Sequence, residues 1–462
     1  MEYWLKILFA CLVIPFAAIA ASKPNAPKAE GYRGIWYSNQ PSGDEYAFKY
    51  SGGLGTYCAD HIPLAIYAPK AGKTFFVYGG SKGLENPKPL LEIVGYYDHK
   101  TKRVPKPTIV MEKGTADAHH NPVISIDKDG YLWVFCASHG GKDGFIYRSD
   151  APYSIDRFDR IMQREFSYPQ PWYFEDFGFV FLFTKYTRGR ELYVSTSVDG
   201  KKWTQDRKIV GFDGHYQVSW KHKKKLGTAF NWHPQGNLNA RTNLYYIETR
   251  DYGRTWVNAA GKPLKIPLET VQNDALVHDY QKEGFLVYIN DVNFDRDGNP
   301  VIFYVLSRGF ESGPKNGPRT WMTARWNGKQ WEIRRVTTCD HNYDMGSLYI
   351  EDDGVWRIIG PSDPGPQAWC TGGEMVMWIS RNQGKTWVRV RTLTRDSKHN
   401  HTYARRVVDA HPDFYALWAD GNALKPSESH LYFASKTGDV YALPFTMRAE
   451  TEKPQRVAGT HK

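Results

Sequence analysis

One turn recurs along the chain, as Ser380-Arg381-Asn382-Gln383-Gly384-Lys385-Thr386-Trp387 and Thr249-Arg250-Asp251-Tyr252-Gly253-Arg254-Thr255-Trp256. Shorter copies stand at Asp199-Gly200-Lys201-Lys202-Trp203 and Asn327-Gly328-Lys329-Gln330-Trp331. An Asp or Asn ahead of a Gly closes a tight hairpin, because the side chain bonds the backbone and the Gly takes positive φ. The following Trp supplies a large apolar surface to pack between sheets. Self-similarity over some tens of residues marks a repeat architecture. Further Asp-Gly turns at residues 127–130, 295–298 and 351–354 sit among strand-like runs at 65–67, 74–78, 131–136, 179–183, 284–290, 301–306, 355–359 and 415–418. No long helical period interrupts them, so the chain reads as an all-β β-propeller. At about 40–50 residues per four-stranded antiparallel blade, the length gives about seven blades.

The chain has 462 residues, 41% of them hydrophobic and 15% aromatic, enough to bury a large core. Residues 1–20 have the layout of a cleavable export signal, Lys6 being followed by an apolar run that ends in small residues. Residues 21–30 read as a flexible lead-in, 31–450 as a single propeller domain with 431–444 pairing near the N-terminal segment, and 451–462 as a disordered tail. The mature protein is thus expected to be secreted or periplasmic, a monomer with no membrane span. Cys58, Cys136, Cys339 and Cys370 remain after the signal, which permits one or two disulfides in an oxidising compartment. The net charge of +11 calls for an anionic partner. No nucleic-acid motif is present, so an acidic polysaccharide or oligosaccharide fits best.

Three stretches carry chemistry. In the first, His119 and His139 flank an Asp-Gly hairpin, so adjacent strands can present two imidazoles at one end of a sheet. The second runs from Tyr216 through His233, Pro234 and Gln235 to Arg241, combining a phenol with a guanidinium suited to clamping a carboxylate. The third, residues 52–63, is glycine-rich and ends Asp60-His61-Ile62-Pro63. Each has a plainer reading as core packing or surface pairing. His341 and His401 lie in later stretches without a paired zinc spacing and are read as channel-lining contacts. Tyr168, His233, Gln235, His341 and His401 are together expected to bind substrate.

At these residues the chain resembles the BNR-type propeller enzymes of rhamnose–uronate polysaccharides: ulvan lyases, rhamnose-α-1,4-glucuronate lyases and propeller α-L-rhamnosidases. The likeness is carried by Gly31-Tyr32-Arg33-Gly34-Ile35-Trp36-Tyr37 and by residues 51–67, 119–139 and 233–246. It implies that His119 and His139 are the lyase histidines, Tyr216 the catalytic tyrosine, and His61 the histidine of a rhamnosidase. Gln235 stands where an ulvan lyase would carry an arginine, leaving Arg241 as the nearest substitute and favouring the rhamnose–glucuronate group. The implied reaction is β-elimination at a uronate, in which a cation offsets the carboxylate while a His or Tyr takes the C5 proton. Hydrolysis of a terminal α-L-rhamnoside through His61, ulvan cleavage, uronate dehydration and non-catalytic glycan binding are the alternatives. No cofactor is expected to be required, and a structural calcium or zinc ion is left open.

Overall fold

The computed structural model describes Met1 and residues 24–83 and 89–457. The expected export signal, apart from Met1, lies outside the described residues. Seven four-stranded antiparallel units follow one another in chain order. Blade 1 holds Ala65–Ala68, Lys73–Gly80, Leu90–Asp98 and Thr108–Lys113, and blade 2 Pro122–Ile126, Leu132–Cys136, Gly144–Ser149 and Phe158–Arg164. Blade 3 begins at Ser167–Phe174, blade 4 at Gln217–His222, blade 5 at Leu286–Phe294, blade 6 at Ser347–Ile350 and blade 7 at Asn400–His411. The first strands face one another around a common axis, and a parallel bridge between Val408 and Ile66 joins the last blade to the first.

The recurring turn works as its residues dictate. Ser380 Oγ accepts the Gly384 N–H at 2.9 Å, Asn382 Oδ1 accepts the Thr386 N–H at 2.9 Å, and Gly384 has φ +79°. The Thr249 copy repeats this, with Thr249 Oγ1 accepting from Gly253 N at 2.8 Å and Asp251 Oδ1 from Thr255 N at 2.9 Å. All four copies join the third strand of a blade to its fourth. Trp203 packs against Phe135 of blade 2 and Phe179 of blade 3, so the turn tryptophan does lie between neighbouring sheets. Tryptophans 133, 172, 256, 321, 356 and 418 are fully buried, and truncating such a side chain to Ala costs about 3–5 kcal/mol.

Because blades alternate strand direction, first-to-second and third-to-fourth connections fall on one rim and all others on the opposite rim. The Asp-Gly turns occupy the first. The second is capped by a hairpin, Trp36–Pro41 with Phe48–Gly53, that belongs to none of the seven blades. It docks on blade 7 at a close backbone approach: a Cβ on Gly53 would sit 1.6 Å from the Asp420 carbonyl oxygen, so only glycine fits.

Residues 24–30 and 451–457 both make backbone contacts with the ring. In the expected lead-in, Ala26 N is bonded to Asp156 O and Ala29 N to Pro107 O, both at 2.8 Å. Of the expected tail, Thr451–Glu452 pairs with Val104–Pro105 and Gln455–Arg456 with the strand Val440–Ala442. The N-terminal segment runs beside the last blade as expected, Tyr32 N bonding Pro444 O at 2.9 Å and Gly34 N bonding Ser429 O at 2.9 Å. Cys58, Cys136, Cys339 and Cys370 are buried free thiols, so the one or two disulfides that the sequence permits are not formed among them.

Candidate active site

Under the N-terminal hairpin, the rim opposite the Asp-Gly turns opens into a polar cavity of about 120 Å³. His119, His139, Tyr168, Tyr216 and Arg241 all line it, although the chain brings them from three different blades and the loops between them. Asp117 is the organising residue. It caps the short 3-10 turn Ala118–His120 by accepting the His119 backbone N–H at 3.0 Å. The same carboxylate takes Nδ1 of His119 at 2.5 Å on one oxygen and Nδ1 of His139 at 2.8 Å on the other. The imidazoles consequently stack, 4.1 Å between centroids and 15° apart in plane.

A carboxylate against both Nδ1–H groups selects one tautomer for each ring and leaves both Nε2 atoms as acceptors. Nε2 of His119 lies 2.8 Å from the Tyr57 hydroxyl and 3.1 Å from that of Tyr50. Nε2 of His139 lies 3.3 Å from the Tyr168 hydroxyl, itself 3.5 Å from that of Tyr216. Burial opposes ionisation of Asp117, but hydrogen bonds from His119 and His139 prevail and hold it far below the usual carboxylate range. Burial pulls His119 down to about 4, against the pull of Asp117, so its ring is neutral at neutral pH. His139, with 27% of its side chain exposed, is the more accessible of the pair.

Two cations face these groups. Arg241 lies over Tyr216 and Tyr288, 4.7 and 4.5 Å from their ring centroids, and donates to Leu238 O at 2.8 Å and Tyr343 Oη at 3.2 Å. Burial alone would lower it, but the phenols of Tyr343, Tyr288 and Tyr216 outweigh burial and keep the guanidinium charged. The Arg190 guanidinium lies 5.9 Å from the Tyr216 ring centroid and donates from Nη1 to Gly236 O at 3.3 Å, while its Nε is buried with no partner. Among the described residues neither arginine forms a direct ion pair with a carboxylate, although Asp60 shares the cavity with both. A third basic group, Lys49, is pushed down to about 6 by burial and by Arg241 and Arg190. Asp60 lines the floor, its carboxyl pushed up to about 6 by burial against Arg241 and Arg405. Arg405 holds this stretch in place by donating to the carbonyls of Cys58, Ala59 and His61.

The remaining expected site residues are placed elsewhere. His61 is fully buried behind Tyr168, 5.7 Å between rings, with both nitrogens unpartnered, and does not line the cavity. His233 is likewise sealed, packing 4.7 Å from the Tyr216 ring as its support. Gln235 is exposed on a left-handed turn at φ 54°. His341 spends its nitrogens on Ser312 Oγ at 3.0 Å and the Tyr343 N–H at 3.2 Å, and His401 on Trp418 Nε1 and Ser397 Oγ, each at 3.0 Å. These last two correct the expectation of channel contacts: the imidazoles are saturated inside the protein, and Tyr343 and Tyr403 beside them line the cavity instead. Tyr50, Tyr57, Arg190 and the bridging role of Asp117 carry no distinguishing pattern in the sequence. Only the Asp117-to-His119 spacing carried a local signal, that of a side-chain cap.

Asp117, His119 and His139 offer ligand atoms within 4.8 Å of one another, the spacing of a metal-binding set. The direct Nδ1–H to carboxylate bonds already account for that spacing.

Comparison with known proteins agrees with this architecture. The profile of BNR repeat-containing family members matches residues 92–339, from the third strand of blade 1 to the end of blade 5. An ulvan lyase of Nonlabens ulvanivorans is 23% identical over 432 residues, covering 83% of this chain and 88% of that protein. Ulvan Lyase-PL25 of Pseudoalteromonas sp. (strain PLSV) is 22% identical over 418 residues, covering 78% and 81%. A solved PL25 ulvan lyase superposes with a TM-score of 0.70 at 17% identity, covering 89% of this chain and 96% of that one, and so does the same enzyme bound to -[GlcA(1-4)Rha3S]-.

Proposed function

The chain belongs to the BNR repeat-containing family, and we propose that it is an exported polysaccharide lyase cleaving rhamnose–glucuronate linkages by β-elimination at the uronate. The observation that carries this reading is the meeting of an Asp117-oriented imidazole, a phenol and two unpaired guanidinium groups in one cavity. The C5 proton of a uronate is acidic only when its carboxylate charge is offset, which Arg241 does with Arg190 as a second cation. His139 Nε2 takes the C5 proton, the C–H electrons form the C4–C5 double bond, and the C4–O4 bond breaks. Tyr216 gives its hydroxyl proton to the departing O4, and the two exchange protons back through Tyr168 or solvent. Distant relatives named ulvan lyases, and a PL25 structure holding a GlcA-Rha3S segment, support the substrate class.

Hydrolysis through His61 draws no support from an imidazole buried away from the cavity. Incubation with ulvan and with a rhamnose-capped glucuronate glycan tests the proposal. Rising ultraviolet absorbance from the conjugated C4–C5 double bond, lost in His139→Ala, is the expected result. Released saturated sugars with no absorbance change would exclude elimination.

A further inference from the structure

On the opposite rim, among the Asp-Gly turns, a second pair of imidazoles meets where the ring closes. His99 follows Leu90–Asp98 of blade 1; His411 ends the inner strand Asn400–His411 of blade 7, and Asp413 stands in the turn into Phe414–Gly421. The two rings are 3.9 Å apart between centroids, tilted by 42°, and Tyr67 packs edge-on to each at 5.1 Å. Nε2 of His99 lies 2.8 Å from Thr74 Oγ1, whereas its Nδ1 is buried without any partner. With the Nε2–H donated to Thr74, the neutral ring keeps a bare lone pair on Nδ1, the way an outer hydrogen bond orients a metal-binding histidine. Nδ1 of His411 has only the Asp413 backbone N–H at 3.1 Å, and the Asp413 carboxylate stands 3.9 Å from it. One ligand atom from each of His99, His411 and Asp413 lies within 4.8 Å of the other two.

We propose that His99, His411 and Asp413 bind a zinc-class divalent ion that fastens blade 7 to blade 1. Two imidazoles and one carboxylate suit zinc and its neighbours rather than calcium or magnesium, which prefer all-oxygen shells. Three protein ligands leave a fourth position for water, and the partial exposure of His411 and Asp413 gives an ion access. Lys102 now pairs with Asp413, and an incoming cation takes its place. Blades 1 and 7 are the most distant in sequence, so their docking carries the largest loop-closure cost. An ion held only by the closed ring stabilises it by mass action.

The test uses the full chain, stripped of metal and titrated with zinc chloride by calorimetry and by thermal melting. The wild type is expected to bind one more equivalent than His411→Ala, and zinc should raise its Tm, reversibly with a chelator. His139→Ala, which removes a ligand-type residue from the cavity, should keep that Tm rise. Asp413→Asn, at a partly exposed turn, keeps the question open to measurement if His411→Ala folds poorly; it should weaken zinc binding at least tenfold. Equal zinc equivalents in wild type and both seam variants, or none in the wild type, would overturn the assignment.

Discussion

Two imidazole pairs, each with an aspartate, stand on opposite rims of the same ring. Their centroids are nearly equally spaced, 4.1 Å for His119 with His139 and 3.9 Å for His99 with His411. In the cavity, Asp117 bridges the Nδ1 atoms of the two stacked rings, one on each carboxylate oxygen, so both Nδ1–H groups are spent and the basic nitrogens face phenols. At the seam, Asp413 is engaged by Lys102, and the unspent lone pair of His99 is buried beside its partner ring. Proximity of residue types therefore does not define the chemistry. Which nitrogen is already used decides between a proton-transfer site and a ligand site.

The strongest way to break this contrast is to remove the cavity's orienting geometry. His139→Ala should lower kcat for elimination by about 10²–10⁴-fold. Asp117→Asn should cause a loss of similar size, because an amide donates where both imidazoles need an acceptor. The double variant should be little worse than either single one, which initial-rate ultraviolet assays can establish. An additive double loss would show that Asp117 does not act through His139.

Arg241→Ala follows, at about 10²–10³-fold in kcat, with the larger share in kcat than in KM if the guanidinium acts on the developing charge. A lysine there should recover only part, since it cannot both hold the Tyr343 and Leu238 bonds and face a carboxylate.

An imidazole outside both pairs calibrates what burial alone does. His215, held between Asn231 O at 2.8 Å and the Phe212 N–H at 3.3 Å, is pulled down to about 4 by burial, with Asn231 opposing. Unfolded, it titrates near 6.5. Between those values the unfolded chain holds a proton that the folded chain refuses, so this contribution is complete above pH 6.5 and lost as pH falls. The loss reaches about 3 kcal/mol at pH 4. Urea midpoints of His215→Gln from pH 7 to 4 should show a flatter pH slope than the wild type.

The smallest effect belongs to Lys102→Ala. Both partners of its ion pair are substantially exposed, 51% and 41% for the side chains, so stability should change by less than about 1 kcal/mol. Zinc affinity should rise as Asp413 is released. A fall in affinity would count against the carboxylate as a ligand.

Much of the architecture was legible because turn chemistry is local. Asn382, Gly384 and Thr386 bond within one hairpin, and the Asp-Gly pattern repeats it from blade to blade. The site was legible only in part. His119, His139, Tyr216 and Arg241, each near a strand end in the sequence, line one cavity. Tyr57 reaches His119 across 62 residues and Tyr343 reaches Arg241 across 102, contacts that exist only once the ring closes. His341 and His401 have residue types that match a binding role, but their nitrogens bond inside the protein. Sequence alone gives no means of telling the wall of a channel from the inside of a blade. The docking of residues 24–30 and 451–457 escaped notice for a related reason: polar, proline-containing segments read as loose until a sheet edge is seen to receive them.

Separating the hairpin turns from the reactive groups also makes the molecule easy to mount. Gly328, at the tip between Arg319–Trp326 and Trp331–Cys339, has no atom within 4 Å of where a Cβ would stand. A peptide tag or a glycan-anchoring module spliced into that tip would hang from the far side of the disc, leaving the mouth of the channel turned toward the polymer it is attached to.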